Sequence, residues 1–219
     1  MITTVPFWRD DAPRPDDLLV APMLPRDVDV AVVGAGFTGM NAARELVAAG
    51  KSVAVLDEGS LGSGASAVNG GMVNYGLKAA TTAVFKRFGS ALGRQFWDAS
   101  LASIDLVEKV VRDEGINCDF HRGGAVEMGH RDRDLATFQH EAEWLLEKVG
   151  FELEVVGPDR VRDFVDSPAF RCAMVDSVGA GLHPAKYVWG LAGAIAGKGV
   201  QLVEDTAVTD VSATRDGFI

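Results

Sequence analysis

Two short β-branched runs flank a helical segment near the start of the chain. The first, VDVAVV at residues 28–33, and the second, SVAVL at residues 52–56, are almost entirely apolar, which predicts strands covered on both faces. Between them, small and apolar residues recur at the spacing of one helix face: Gly39, Ala42, Ala43, Leu46 and Val47. Gly50 is placed to end that helix in the left-handed conformation. The pattern predicts a right-handed βαβ unit with parallel strands.

The later hydrophobic pattern predicts three more helices and several strands. Apolar positions recur at steps of three and four in two segments, and a third helix begins with proline in its first turn. A glycine pair inside FHRGGAVEMGH predicts a short hairpin. The predicted helices lie in residues 90–114, 132–149 and 183–199, the hairpin covers 120–130, and two further strands lie in VQLVED (200–205) and AVTDVSA (207–213).

The two ends of the sequence differ from this pattern. Residues 1–26 contain five of the eight prolines, which favours an extended arm lying over a domain. Asp216-Gly217 is a strong two-residue hairpin signal, but only two residues follow it. We therefore expect the chain to stop in mid-structure.

Charge and composition narrow the class of protein. The formal net charge is −10, which argues against nucleic acid or an anionic membrane surface as a partner. No apolar stretch approaches the length of a membrane span, and the start does not have the pattern of a secretory signal. The two cysteines are far apart, so neither a disulfide framework nor a metal site is expected. These features predict a cytoplasmic protein.

The chemistry-bearing motif is the turn after the first strand. Gly34, Gly36 and Gly39 form G-x-G-x-x-G between a strand and a helix: the first glycine makes the tight turn, the second lets the backbone approach a diphosphate, and the third lets helix and strand pack closely. Asp57 ends the second strand, where a ribose-binding acid is expected. A carboxylate there favours free ribose hydroxyls, as in FAD or NAD, over a 2′-phosphate.

The glycine- and serine-rich stretch SGASAVNGGM, residues 63–72, bears on the choice between FAD and NAD. Small hydroxyls and exposed backbone suit contact with the longer flavin cofactor, and a simple NAD dehydrogenase does not need such a loop. By composition alone the stretch is equally consistent with a flexible surface loop. An NAD-dependent dehydrogenase and a non-catalytic dinucleotide-binding module therefore remain alternatives.

The segment from Asp29 to Val73 resembles the amino-terminal signature of the D-amino-acid-oxidase-type flavoproteins, which include glycine oxidase, sarcosine oxidase and γ-glutamylputrescine oxidase. The γ-glutamylputrescine-oxidase-like branch is the most similar, through the Pro-rich arm, GAGFTG and SGASxxNGG. SVGAGLHPAKYVWGLA, residues 177–192, is similar to the family's return to its flavin domain. The resemblance implies an FAD-dependent enzyme that oxidises the C–N bond of an amine or amino acid by hydride transfer to flavin.

The resemblance also implies an FAD site. Its residues would surround the diphosphate, hold the ribose, follow the cofactor toward the flavin ring and meet the adenine: Gly34, Ala35, Gly36, Phe37, Thr38, Gly39, Asp57, Glu58, Ser66, Asn69, Gly70, Gly71, Met72 and Val208. Glu58 and Val68 depart from the common family pattern, where a basic or small residue and an arginine are frequent. The resemblance assigns no catalytic residue.

The implied fold class is α/β. A Rossmann-like FAD-binding βαβ domain is interrupted by part of an α+β substrate domain. The expected parts are an arm at 1–26, the first FAD-binding part at 27–117, a partial substrate domain at 118–181 and a returning, truncated FAD-binding part at 182–219. Family members are longer, so we expect this stretch alone to be an inactive fragment that lacks a complete active site. The sequence does not determine the substrate, the oligomeric state, oxidase against dehydrogenase behaviour, or covalent flavin attachment.

Other candidate side chains have simpler interpretations. His183 precedes a helix and is expected to have a capping or loop role, not a catalytic one. Cys118 and Cys172 are expected to be small buried residues, and Trp97 and Trp144 to pack on helix faces. HEAEW has tryptophan in place of the second zinc-binding histidine.

Overall fold

The computed structural model describes residues 4–215 and 217–219. Asp216, half of the expected hairpin signal, lies outside the described residues. In chain order, the helices of the described part are α1 (Phe7–Asp11), α2 (Phe37–Ala48), α3 (Thr81–Asp113), α4 (Asp132–Val149) and α5 (Pro184–Ala196). Its strands are β1 (Val30–Val33), β2 (Val53–Leu56), β3 (Met72–Val73), β4 (His121–Arg122), β5 (Ala125–Gly129), β6 (Glu154–Val156), β7 (Cys172–Asp176), β8 (Ala180–Gly181) and β9 (Gln201–Val203).

The chain divides into two compact units. The first contains the described residues of 1–71, 110–119 and 183–219, and the second contains 72–109 and 120–182. The second unit thus includes residues 72–109 in addition to nearly all of the segment predicted as a substrate domain, because Trp97 of α3 packs with Leu145 and Val149 of α4. The cofactor and substrate roles of these parts remain predictions.

The first unit is built on a parallel sheet of order β1-β2-β9. All four residues of β2 are buried, as its apolar run predicts. On one face, Ala54 and Leu56 pack with Val203, and Ala21 and Val28 pack against this cluster. α2 connects β1 to β2 and follows the predicted helix closely, and Gly50 just beyond it has φ +79°, as expected for a left-handed C-terminal residue. The mixed α/β fold class is confirmed.

The prediction that β1 is covered on both faces is wrong. Val32 faces α2, since a Cβ added to Gly39 would lie 3.1 Å from Val32 Cγ1. Val33 points the other way and is 64% exposed. The face of β1 that carries Val33 is left open among the described residues, so an apolar run here does not imply two covered faces.

The second unit contains two antiparallel sheets, β3-β8-β4 and β5-β7-β6. α4 has the predicted bounds and buries Phe138 with Cys172 and Met174. α3 begins before the predicted segment, but Gly89, with φ +77°, interrupts the helical backbone just before residue 90. The predicted segment therefore corresponds to the regular helix that follows the kink at Gly89.

Two strand predictions are wrong. β4 and β5 do not form a hairpin: β4 pairs with β8 and β5 pairs with β7, so the two belong to different sheets. Residues 207–213 form no regular strand, although an isolated antiparallel bridge joins Ala213 to Phe218. In both cases the local pattern was strand-like, but strand formation depends on the partner that the fold provides.

Candidate functional site

The glycine turn connects β1 to α2 with a backbone that only glycine accommodates. Gly34 has φ +98°, and its N–H donates to the Leu56 carbonyl at 2.7 Å. Gly36 is the residue before the first turn of α2. A Cβ at Gly39 would lie 2.0 Å from the Gly34 carbonyl oxygen. The turn therefore places the start of α2 directly over the end of β1.

The Asp57 side chain stabilises this turn. One carboxylate oxygen, Oδ2, accepts from the Ala35 N–H at 2.7 Å, and Oδ1 accepts from the Gly59 N–H at 3.0 Å. The backbone of Asp57 donates to Val203 at 2.9 Å and accepts from Thr206 at 2.7 Å. Each carboxylate oxygen retains a second lone pair, so the side chain could still accept from ribose hydroxyls.

The loop of residues 59–71 folds back against the start of α2. Ser66 Oγ accepts from the Phe37 N–H at 3.1 Å, and a Cβ at Gly36 would lie 3.0 Å from the same oxygen. Ser66 therefore caps one of the amides that a helix N-terminus leaves without an intrahelical partner. The predicted cofactor loop is in contact with the predicted diphosphate turn.

Asn69 organises the end of that loop. Its Nδ2 donates to the carbonyls of Ala65 at 3.2 Å and Ser66 at 2.9 Å, and its Oδ1 accepts from the Gly71 N–H at 2.8 Å. Gly71 itself has φ +70°, which favours glycine at this position. Within this unit the loop is closed by its own hydrogen bonds.

Phe37, at the start of α2, packs against Tyr187 of α5, with ring centroids 5.2 Å apart. Burial is the main cause that raises the pKa of Tyr187, partly offset by a hydrogen bond with Asn41. The phenol is therefore neutral over the physiological range. This aromatic pair holds the first turn of α2 against α5.

The structure brings most of the predicted residues together, but not all. The glycine turn, Asp57, Ser66 and Asn69 are linked by direct contacts inside the first unit. Glu58 is exposed beside Asp57, and Gly70 is exposed in the loop. Met72 begins β3 in the second unit and is 74% exposed. Val208 lies two residues beyond the Thr206 contact with Asp57 and is 36% exposed.

Several residues that contact the predicted cofactor loop were not predicted from the sequence. Glu204, after β9, accepts from the Leu61 N–H at 2.6 Å and from Arg14 at 2.6 Å. Trp8 donates through its indole N–H to the Asn69 carbonyl at 2.7 Å. Neither residue belongs to a motif, and their partners are far along the chain. The available signal was only the presence of arginine and tryptophan in an otherwise proline-rich arm.

Three further features concern His183, potential metal ligands and membrane-spanning helices. His183 is 5% exposed, and its Nδ1 accepts from the Lys186 N–H at 3.3 Å, which confirms its capping role. Among residues 4–215 and 217–219, no cluster of three or more potential metal ligands occurs. No helix in the described part of the chain has the length and apolar character needed to cross a membrane.

A family model described as DAO, FAD dependent oxidoreductase, matches residues 29–219. This chain belongs to the DAO family of FAD-dependent oxidoreductases. The resemblance stated from the sequence is thereby confirmed, and FAD is confirmed as the cofactor of the family. Membership favours FAD over NAD at the glycine turn.

Curated DAO-type relatives agree with this assignment. A probable oxidoreductase OrdL of Haemophilus influenzae is 31% identical over 186 residues, which cover 84% of this chain and 42% of the relative. The γ-glutamylputrescine oxidoreductase of Escherichia coli is 31% identical over 193 residues, covering 87% and 45%. This chain therefore spans less than half the length of these relatives.

Solved structures of DAO-type enzymes share the fold. Glycine oxidase from Geobacillus kaustophilus has a TM-score of 0.70 at 23% identity, covering 87% of this chain and 50% of that one. L-proline dehydrogenase from P. horikoshii has a TM-score of 0.63 at 22% identity, covering 90% and 51%. At these identities the likeness supports the fold.

The local geometry fits a dinucleotide. Open space lies where a Cβ would stand on Gly34, so a ligand can approach the turn there. The first turn of α2 presents amide hydrogens and the positive end of the helix dipole, both of which favour a diphosphate. Asp57, at the end of β2, supplies the carboxylate that ribose recognition needs.

Proposed function

We propose that this chain forms the FAD-binding part of a DAO-family oxidoreductase that oxidises the C–N bond of an amine or amino acid. The observation that carries the proposal is the junction of the glycine turn, Asp57 and Ser66 at the start of α2. Because the chain spans less than half of its curated relatives, catalysis is proposed for the whole protein that carries this sequence.

The proposed cofactor contacts begin at the diphosphate. The backbone from Gly34 to Gly39 would receive it, with the amides of the first turn of α2 donating to its oxygens. Ser66 already occupies the Phe37 N–H, so it fixes the orientation of the turn. Asp57 would accept from the adenosine ribose hydroxyls, with Glu58 beside it.

The remaining predicted contacts extend along the cofactor in both directions. Asn69, Gly70, Gly71 and Met72 would follow it toward the flavin ring, and Val208 would meet the adenine through its backbone. When bound, the flavin supplies the hydride acceptor. The protein residues described here bind and orient; none of them is assigned a proton-transfer or substrate-contacting role.

The substrate class is proposed from the relatives. One curated relative is named γ-glutamylputrescine oxidoreductase, and solved structures with the same fold include glycine oxidase and L-amino acid deaminase. Each of these names specifies an amine or an amino acid. A small amine or amino acid is therefore the proposed substrate, with residues 118–181 contributing part of its site.

The test is to purify the full protein that carries this sequence and examine it for flavin. We expect a yellow protein whose denatured supernatant contains FAD by chromatography, and whose flavin absorbance is bleached anaerobically by a member of an amine and amino-acid panel. A colourless protein that binds NAD would support the dehydrogenase alternative. Bound FAD that no amine reduces would support the non-catalytic module.

A further inference from the structure

The proline-rich arm is attached to the first unit at several separate points. Trp8 donates to the Asn69 carbonyl at 2.7 Å, and His183 Nε2 lies 3.2 Å from Asp11 Oδ2. The indole N–H of Trp189 donates to the Ala12 carbonyl at 3.1 Å. The arm therefore lies in a defined position, and one of its attachments reaches the predicted cofactor loop.

We propose that Trp8 is a positioning residue for the cofactor site, which it controls by holding the Asn69 loop against the start of α2. This inference rests on the proposed function for its effect on FAD, but its structural part can be tested without FAD. Among the described residues, the Trp8 side chain donates its hydrogen bond to Asn69 and not to the glycine turn or to Asp57. It acts through the loop.

A short sequence of hydrogen bonds connects Trp8 to the turn. The indole holds the Asn69 carbonyl, and the Asn69 amide holds the Ser66 carbonyl at 2.9 Å. The Ser66 hydroxyl then accepts from the Phe37 N–H at 3.1 Å. A shift at Asn69 is therefore transmitted through two contacts to the first amide of α2, next to the amides that are proposed to bind the diphosphate.

The indole of Trp8 is itself oriented by His183. The two rings meet edge to face with centroids 4.7 Å apart. Since His183 Nδ1 accepts from the Lys186 N–H, its Nε2 carries the proton and donates to Asp11. The buried imidazole thus holds both the α1 carboxylate and the face of the indole, so the N–H of Trp8 has a restricted direction.

A purely structural role for the arm makes a different prediction. Asn69 is exposed, so water could replace the indole if nothing depended on the position of the loop. Removing the Trp8 bond would then affect stability alone. Removing the Trp189 bond to Ala12, which also anchors the arm but does not reach Asn69, would have a similar effect. The Trp189 ring packs near Gly62 at the other end of the loop, outside residues 65–71.

The experiment compares Trp8→Phe with Trp189→Phe as the matched control in the full protein. Each substitution removes one indole N–H and keeps an aromatic ring. In flavin-free protein, we expect Trp8→Phe to accelerate amide hydrogen exchange about threefold or more within residues 65–71, and Trp189→Phe to leave that segment unchanged. In FAD titrations, we expect Trp8→Phe to weaken affinity about threefold to tenfold, as for loss of one neutral hydrogen bond, and to alter the bound flavin spectrum.

The outcomes separate the two proposals. Unchanged exchange at residues 65–71 in Trp8→Phe, or equal effects of both variants on exchange and affinity, would overturn the positioning role. A wild-type protein that binds no FAD would overturn the proposed function, while the exchange comparison would still decide whether Trp8 holds the loop.

Discussion

The Asp57 carboxylate accepts a hydrogen bond from the Ala35 N–H at 2.7 Å, so the residue proposed to bind ribose also closes the glycine turn. The turn geometry and the proposed recognition of the cofactor therefore depend on one side chain. A substitution at Asp57 affects both, and the two effects can be separated by measuring flavin affinity and flavin-free stability in the same variant.

Asp57→Asn replaces one acceptor oxygen with a donor that would face a backbone N–H of Ala35 or Gly59. We expect FAD affinity to fall about tenfold or more, equivalent to about 1.4 kcal/mol, together with a lower melting temperature of the flavin-free protein. Fluorescence titration of FAD and thermal denaturation measure these effects. Glu152→Gln, which changes the charge equally at an exposed position, should alter neither; unchanged FAD affinity in Asp57→Asn would remove Asp57 from the site.

Gly39→Ala places a methyl group 2.0 Å from the Gly34 carbonyl oxygen, a backbone atom that cannot rotate away. We expect the variant to lose about 1–3 kcal/mol or more of unfolding free energy and most of its FAD affinity, because α2 must move off β1. Chemical denaturation and FAD titration test this expectation.

Gly64→Ala is the matched control for that variant. Gly64 has φ −80°, and nothing lies within 4 Å of the added Cβ, so alanine should be tolerated. If Gly39→Ala were as stable as Gly64→Ala, the close packing of helix and strand would not depend on glycine.

Ser66→Ala removes the acceptor of the Phe37 N–H. A lost N-terminal helix acceptor costs about 0.5–2 kcal/mol, and we expect FAD binding to weaken because the turn loses its fixed orientation. Ser63→Ala, at an exposed position in the same loop, should have a smaller effect on both quantities. Equal losses in the two serine variants, measured by denaturation and FAD titration, would contradict a specific role for the Ser66 hydroxyl.

Glu114 makes the stability of the first unit depend on acid pH. Burial is the largest influence and raises its pKa, but hydrogen bonds from Lys198 at 2.6 Å and Arg44 at 2.7 Å outweigh it, so the net pKa lies below the ordinary 4.5. The pKa of Glu114 is therefore lower in the folded protein than in the unfolded chain. The stability that its carboxylate contributes is fully present above the pKa of the unfolded chain and is lost as the pH falls through the pKa of the folded protein.

We therefore expect Glu114→Gln to be less stable than wild type by about 1–3 kcal/mol above pH about 5, and the difference to shrink on further acidification. Denaturation curves between pH about 3 and 7 measure it. Glu147→Gln, whose partner Lys148 is its exposed neighbour, should show a much smaller difference. If the loss of unfolding free energy in Glu114→Gln grew as the pH was lowered, the pKa of Glu114 would not be depressed in the folded protein.

Much of the fold could be predicted from local pattern. The bounds of α4, the proline start of α5 and the β1-α2-β2 order follow from helical and strand periodicity together with glycine and proline positions. β1 was predicted with the wrong exposure and β4 and β5 with the wrong pairing. Periodicity reports which side chains are apolar, whereas coverage and pairing depend on distant segments.

The sequence by itself determined the glycine turn, the acid at the end of β2 and membership of a flavin-binding family, because each rests on residue types at short, fixed spacing. Only the tertiary structure decided that Trp8 reaches Asn69, that Arg14 pairs with Glu204, and that Ser66 caps α2. Trp8 and Asn69 are 61 residues apart and Arg14 and Glu204 are 190 apart. Such contacts form only when the chain closes on itself, and no local periodicity encodes them.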